Sequence, residues 1–470
     1  MDAINAVIGF FNTIFWGYIL IYGLLAVGVY FTLRLKFIQI LHFNEMWRCV
    51  LGSGETDKNG ITPFQALTVS LASRVGTGNI AGVAVAITLG GAGAIFWMWM
   101  VALVGMATAY AESTLAQLYK SPAQDGLYRG GPAYYISRGL KAPWLGAIFA
   151  VALILSFGLV FNAVQANSIA EAVSTFGVSK LVVGLALAAL TAIIIFGGIP
   201  QIARVAEYVV PFMAGAYLLA AFFVMVTHLT EVPGVLIHIV RSAFGLEAAA
   251  GGAAGAIAAA ALNGIKRGLF SNEAGMGSAP NIAAVATPAP HHPSSQGFVQ
   301  ALGVFIDTLL VCTATAVMIL LSDAIPSPEL TGVNLTQAAL GEHFGSFGHA
   351  FVAIAIFFFA FTSIIGNYAY AENATLYLGG GHTGVIVLRV VACLMVIWGA
   401  VQSVGTVFDF ADASMGLMAT INLIAIVLLS GTVAKLTRDY LGQRAAGQLP
   451  KFHIADHPDL AEGVDRDIWR

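Results

Sequence analysis

The stretch from Thr62 to Leu89, TPFQALTVSLASRVGTGNIAGVAVAITL, is long and apolar enough to cross a bilayer, yet its centre reads Ser73-Arg74-Val75-Gly76-Thr77-Gly78-Asn79. A lipid-facing helix does not carry an arginine, two glycines and three hydroxyl or amide side chains at mid-depth. Each glycine costs a helix about 1 kcal/mol, and freed backbone groups need partners that hydrocarbon does not supply. Unwound backbone at that depth survives only inside protein or beside a water-filled cavity. The break therefore reads as a binding site. Its half-helix ends offer amide N–H groups to an anion and carbonyls to a cation.

A second stretch, Ala253 to Ala286, repeats the device around Ser271-Asn272-Glu273-Ala274-Gly275-Met276-Gly277-Ser278. Gly76-Thr77-Gly78-Asn79 lies over Gly275-Met276-Gly277-Ser278 at a constant offset (275 − 76 = 199). Arg74 and Glu273 share that offset, and so are candidates for a mutually neutralising pair, either structural or a moving gate. One Gly-x-Gly alone would read as a kinked helix with glycines for close packing. Two matching interrupted spans with charge at depth point to the midplane site of a transporter.

The rest of the chain agrees. With 470 residues, 58% hydrophobic and 10% charged, it has too few charges to clothe a soluble globule, so it is a polytopic membrane protein. A net charge of −3 argues against a nucleic-acid partner. Cys49, Cys312 and Cys393 lack metal or redox spacing and read as packing residues. The N-terminus has no basic n-region or small-residue cleavage site, so the first apolar run reads as a retained span. Apolar runs give about eleven spans. Lys and Arg cluster after the first, third, fifth and last of them (Arg34, Lys36, Arg48, Lys58; Lys120, Arg129, Arg138, Lys141; Arg204; Lys435, Arg438, Arg444, Lys451) and at the start of the tenth, at Arg389. By the positive-inside rule the N-terminus is outside and the C-terminus cytoplasmic.

Setting the first span aside, ten remain, each half led by a broken helix; an odd number per half inverts the second against the first. The expected organisation is residues 1–61 as an accessory helix and cytoplasmic link, 62–228 as the first five-helix repeat and 229–252 as an extracellular loop. Residues 253–430 form the inverted second repeat and 431–470 a cytoplasmic tail without function. The loop 119–142 is long for a bundle connection and reads equally as a brace for the inner mouth or a plain surface loop. In 229–252, VLIHIVRSAFG reads equally as a lid or a connection.

Further polar residues lie inside apolar spans. Asn162 and Gln165 share one helix face at i and i+3 and suit either a polar solute or interhelical amide bonding. Thr362-Ser363, beside free carbonyls, suits a hard monovalent cation, though such a pair usually bonds its own backbone. Asp307 and Glu112 read as packing partners of Arg or Lys, and His291-His292 as solvated loop residues.

RVGTGNIAGVA, RGGPAYYISRGL, VQANSIA and above all NGIKRGLFSNEAGMGSAPNIAAVA resemble the alanine or glycine:cation symporter family of bacterial and archaeal sodium-coupled amino acid carriers, over roughly Trp16 to Tyr440. The resemblance implies an all-α LeuT-type fold of inverted five-helix repeats in a prokaryotic plasma membrane. It implies a substrate carboxylate on the amides of Thr77 and Gly78 beside Asn79, and a pocket lined by Asn162, Gln165, Ser271, Met276, Gly277 and Asn367. It implies Na⁺, as coupling ion rather than cofactor, on the carbonyls of Ala72, Val75 and Phe359 and the hydroxyls of Thr362 and Ser363. Many family members are similar to Thr-x-x-Gly-Trp after the hydroxyl pair, where this chain reads Ser363-Ile364-Ile365-Gly366-Asn367. Asn367 makes the pocket wider and more polar, admitting serine or a larger polar amino acid beside alanine and glycine.

The expected activity is Na⁺-coupled symport of a small neutral amino acid into the cell by alternating access. Proton coupling through Glu273 or Asp307 is the alternative within that class. An intramembrane enzyme is the alternative outside it, and no Gly-x-Ser-x-Gly or HExxH spacing supports that. A passive channel is disfavoured by the paired breaks with opposing dipoles.

Overall fold

The computed structural model describes residues 2–52, 59–123, 126–247 and 252–470. Lys58 and parts of the 119–142 and 229–252 loops, at 124–125 and 248–251, lie outside the described residues. The chain is helical apart from a hairpin of β1 (Ser121–Pro122) and β2 (Tyr128–Arg129). Among the described residues, eight helices are long and apolar enough to cross a membrane, starting with α1 (Ala6–Arg34). The two interrupted spans and a shorter helix account for the difference from the eleven expected.

The first interrupted span begins at Thr62, whose hydroxyl accepts from Gln65 N (3.0 Å) while Gln65 Oε1 accepts from Thr62 N (3.1 Å). This reciprocal cap with Pro63 at the first helical position starts α2 (Pro63–Arg74). The helix ends at Val75 and resumes as α3 (Gly78–Gly90), entered through a widened π-type turn. The next helices are α4 (Gly93–Leu118), the short α5 (Pro132–Gly139) of the inner loop, α6 (Pro143–Ser174), α7 (Lys180–Ile195) and α8 (Gly198–Thr227). Next, α9 (Val232–Ala243) packs against α4 and the following span.

The second interrupted span is α10 (Ala253–Asn272), an unwound segment, and α11 (Pro280–Ala283). Glu273 (φ 58°), Gly275 (φ 88°) and Gly277 (φ 81°) all lie in the left-handed region, which ends the helix and which glycine alone adopts freely. There follow α12 (Pro293–Leu320), α13 (Gly332–Phe344), α14 (Ser346–Tyr377), α15 (Gly381–Val401), α16 (Val404–Leu428) and α17 (Ser430–Ala445).

Side chains such as Tyr208, Phe212 and Leu219 of α8 stand largely exposed on its outward face, as lipid-facing residues do. Both interrupted spans lie in the centre, with Val75–Gly82 and Ser271–Ser278 buried throughout. The tail is folded, not extended: residues 449–470 return across the basic face and bury Trp469 completely.

Candidate functional site

The two unwound segments face each other. A Cβ on Gly78 would lie 3.1 Å from both Phe270 and Ser271, so the first break touches the second. A Cβ on Gly76 would lie 2.2 Å from Ser363 Oγ and 2.8 Å from Gln165 Oε1, so only glycine lets backbone, hydroxyl and amide approach this closely.

Three polar groups converge here. In the first, Gly76 N donates to Asn79 Oδ1 (2.9 Å) and Thr77 N to Gln165 Oε1 (2.9 Å), so these two amides of the break point at side-chain oxygens. Asn79 Nδ2 reaches Asp307 Oδ1 (2.7 Å), and Ser271 Oγ (2.8 Å) and Thr308 Oγ1 (2.6 Å) reach Asp307 Oδ2. Asp307 is thus satisfied by uncharged donors from both breaks and its own helix, rather than by the Arg or Lys expected. Cys312 lies beside Ser271 (3.1 Å) and Asn79 (3.3 Å).

The second group gathers hydroxyl and carbonyl oxygens, with Met213 Sδ 3.7 Å from Thr362 Oγ1. Ser363 Oγ is 2.8 Å from Ala72 O and 2.9 Å from Phe359 O, and Thr362 Oγ1 is 3.0 Å from Phe359 O. Two carbonyls and two hydroxyls, all buried, thus gather where α2 ends against α14, with Val75 as the capping residue. Uncharged oxygens so arranged fit a hard monovalent cation, for which hydroxyls and carbonyls replace hydration water.

The third group is a polar chain across the site. Ser73 Oγ meets Glu273 Oε1 (2.7 Å) and Asn367 Oδ1 (2.6 Å); Asn367 Nδ2 donates to Asn162 Oδ1 (3.1 Å), and Asn162 Nδ2 to Gly158 O (3.1 Å). Ser278 donates to Glu273 from within the second break. Met276 is buried beside these groups in the sequence of the same break, and Gly277 packs against Pro132, Asn422 and Phe149. Arg74 and Glu273 make no direct ion pair: the guanidinium donates to Gln300 O (3.2 Å) while its charge still acts on the Glu273 carboxylate. The equal offset placed both at their breaks but said nothing of side-chain direction. Glu112 likewise accepts from Asn422 Nδ2 (2.7 Å) and Gly275 N (3.3 Å), holding the unwound backbone rather than pairing with a base.

Charged clusters flank the breaks. Away from the basic face, Arg267 pairs with Asp412, joined by Lys266 (3.4 Å). The guanidinium lies 5.6 Å and 5.0 Å above the rings of Phe270 and Phe408, and Phe270 stacks on Phe161 (4.8 Å). Toward the basic face, Glu372 accepts from Tyr368 OH (2.5 Å) and pairs with Arg129 (3.4 Å) and Arg389 (3.6 Å). Below this cluster opens a cavity of about 770 Å³ lined by Arg129, Tyr134, Glu372, His382 and Arg389. The inner loop braces the site: Tyr135 OH donates to Asn422, Asn373 Nδ2 donates to Gly130 O (2.7 Å), and Arg129 holds Glu372. The Arg267–Asp412 pair and the aromatic layer had escaped the sequence reading, although Lys266-Arg267 in an apolar run was a visible signal.

The sequence matches the model of the sodium:alanine symporter family over residues 1–454. The chain belongs to that family. It is 49% identical over 449 residues to the "Probable sodium/glutamine symporter GlnT" of Bacillus subtilis (strain 168), covering 95% of this chain and 93% of that one. It is 40% identical over 440 residues to the "Sodium/alanine symporter AgcS" of Methanococcus maripaludis, covering 91% and 95%. The structure of MhsT in complex with L-phenylalanine superposes with a TM-score of 0.59 at 14% identity, over 82% of this chain and 93% of that one. The fold is therefore LeuT-like, and this sodium:alanine family member is a multi-pass membrane transporter, a cation-coupled amino-acid symporter rather than an enzyme.

Proposed function

We propose that this family member carries a small neutral amino acid with Na⁺ into the cell, both bound between the two breaks and exposed alternately to the outer and the basic, cytoplasmic face of the plasma membrane. The observation that carries this reading is the meeting of Ala72 O, Phe359 O, Thr362 Oγ1 and Ser363 Oγ at the end of α2, next to the Gly76–Thr77 amides. Val75 O completes the proposed cation ligands. The amides of Thr77 and Gly78 take the substrate carboxylate, with Gln165 turning aside from Thr77 N. A carboxylate and a cation bound this close reduce each other's desolvation cost, and that mutual preference couples their movement.

The Ser73–Asn367–Asn162 chain favours a substrate whose side chain can exchange hydrogen bonds with amides. Among alanine, glycine, serine and larger polar amino acids, that supports serine or glutamine, the latter being the substrate named for GlnT. Arg267–Asp412 and Arg129–Glu372–Arg389 serve as the outer and inner closures, in place of an Arg74–Glu273 gate.

Uptake by purified protein in proteoliposomes tests the reading. An inward Na⁺ gradient should accelerate accumulation and Thr362→Ala should abolish the acceleration; equal uptake with and without the gradient would rule out sodium coupling. One observation supports proton coupling as the second reading: Glu273 and Asp307 are buried and accept their hydrogen bonds from serine, threonine and asparagine side chains rather than from a paired base. A 42% identical relative is named "Putative sodium/proton-dependent alanine carrier protein YrbD". In that case Asp307→Asn or Glu273→Gln, rather than Thr362→Ala, would stop gradient-driven uptake.

A further inference from the structure

The family match ends at residue 454, and the last residues of the chain, beyond that match, form the most elaborate contact on the basic face. Trp469, next to last in the sequence, is 0% exposed, and its Nε1 donates to Leu118 O (3.2 Å) at the inner end of α4. Its ring packs against His291 (5.1 Å) and Phe452 (5.6 Å). The returning segment is pinned along its length. Phe452 N donates to His291 O (3.0 Å), Ile454 N to Trp469 O (2.9 Å), and Gln443 and Lys451 exchange two hydrogen bonds. Exposed ion pairs join Asp459 to Lys435 of α17 and Glu462 to Lys141 of the inner loop (2.7 Å). A buried indole and four separate anchors are more than is needed to tidy away a polar tail.

The anchors lead to the interrupted spans. Lys120 Nζ lies 5.4 Å from the Trp469 ring and donates to Ala286 O (2.9 Å), which also accepts from Gln117 Nε2 (2.9 Å). Ala286 closes the second interrupted span, and there the two spans are stitched together. Ile61 N donates to Val285 O (3.2 Å) and Thr287 N to Ile61 O (2.9 Å). Trp469 therefore backs the side chain that holds the inner ends of both interrupted spans in contact.

We propose that residues 449–470 are a latch on the inner closure: docked, the strap holds the Ile61–Ala286 junction shut; released, it lets the junction part and opens the site to the cytoplasm. This rests on the alternating-access reading above.

Cys312, buried against Ser271 and Asn79, is a built-in reporter of that opening. In a Cys49→Ser/Cys393→Ser background, its labelling by a membrane-impermeant maleimide is measured in inside-out vesicles. Trp469→Ala and Lys435→Glu should each raise the labelling rate severalfold, and Lys435→Glu combined with Asp459→Lys should return it to the parent rate. Labelling unchanged by both single variants would overturn the latch. So would a rate that the charge swap leaves raised, because the effect would then not run through the strap. The Lys435–Asp459 pair is on the surface, so that arm survives if Trp469→Ala does not fold. Loss of gradient-driven uptake in the parent would refute the symport reading while leaving these labelling rates to judge the strap by itself.

Discussion

Gly76→Ala is the sharpest single perturbation of the proposed cation site. The added methyl would sit 2.2 Å from Ser363 Oγ, 2.8 Å from Gln165 Oε1 and 3.1 Å from Ser363 Cβ. These atoms belong to buried side chains on two sides of the break, so the methyl must turn the Ser363 hydroxyl off its carbonyls and the Gln165 amide off Thr77 N, and crowd Ser363 Cβ. Overpacking a tight interior costs about 1–3 kcal/mol. If that cost falls on the state in which Ser363 reaches the cation, the apparent Na⁺ affinity drops by about 5- to 150-fold, at tenfold per 1.4 kcal/mol. The assay is the Na⁺ concentration giving half-maximal uptake, with thermal stability in Na⁺-free buffer as the folding control. Gly82→Ala, in the same interrupted span, is the internal control, since its methyl would meet nothing closer than Thr77 O at 3.7 Å. Ser363→Ala removes the atom struck, so the double variant should fall short of the sum of the two single losses, the signature of groups in contact. A half-maximal Na⁺ concentration unchanged in Gly76→Ala, in protein of parental stability, would refute the placement of the cation beside Ser363.

Arg267→Gln removes the partner of a buried carboxylate and should cost about 3–5 kcal/mol, reduced by the neighbouring Lys266 at 3.4 Å from Asp412; labelling of Cys312 from the outer face should accelerate while uptake falls. Asn162→Leu leaves Asn367 Nδ2 without its acceptor, a loss of about 1–3 kcal/mol; competition assays should then show serine and glutamine weakened more than alanine. The strap should respond to pH. Burial, with Lys120, His453 and His292 nearby, holds His291 below the usual imidazole range. Burial does the same for His292, against the pull of Asp439 and with His457 adding to it. Undocked, both histidines regain water and bind protons more readily. Docking therefore weakens as pH falls, because the uncovered histidines take up protons that the covered ones resist. Hydrogen exchange over residues 449–470, corrected for intrinsic rate, should rise between about pH 7.5 and 5.5 and be pH-independent after correction in the His291→Gln/His292→Gln variant.

The breaks were legible because glycine, arginine and amide side chains have no business inside an apolar run, and their spacing survived a shift of 199 residues (275 − 76). The span count and the two faces followed from apolar length and the clustering of Lys and Arg, both one-dimensional properties. Partners were not legible. Arg74 and Glu273 occupy matching positions, yet their hydrogen bonds go to Gln300 for the one and to Ser73 and Ser278 for the other. Glu112 and Asp307 were given cationic partners on grounds of charge, whereas the unwound backbone and the amides of Asn422 and Asn79 are nearer donors. His292 looked solvated between prolines, but the returning tail covers it and Asp439 takes its Nε2 (3.1 Å). That tail is polar by composition, and its scattered apolar residues, among them Phe452, Ile454, Leu460, Val464 and Trp469, are interrupted by Pro, Gly and charged residues and do not say which surface they cover.

Whether cation and amino acid share one site is measured most directly by equilibrium binding of labelled glutamine, serine and alanine to the purified protein across Na⁺ concentrations. Coupling of about 1–3 kcal/mol corresponds to roughly 5- to 150-fold. At least one of these amino acids should bind tighter by that factor in saturating Na⁺, and that amino acid should tighten Na⁺ binding equally, with both effects lost in Thr362→Ala. Amino-acid affinity independent of Na⁺ in the unaltered protein would contradict the account.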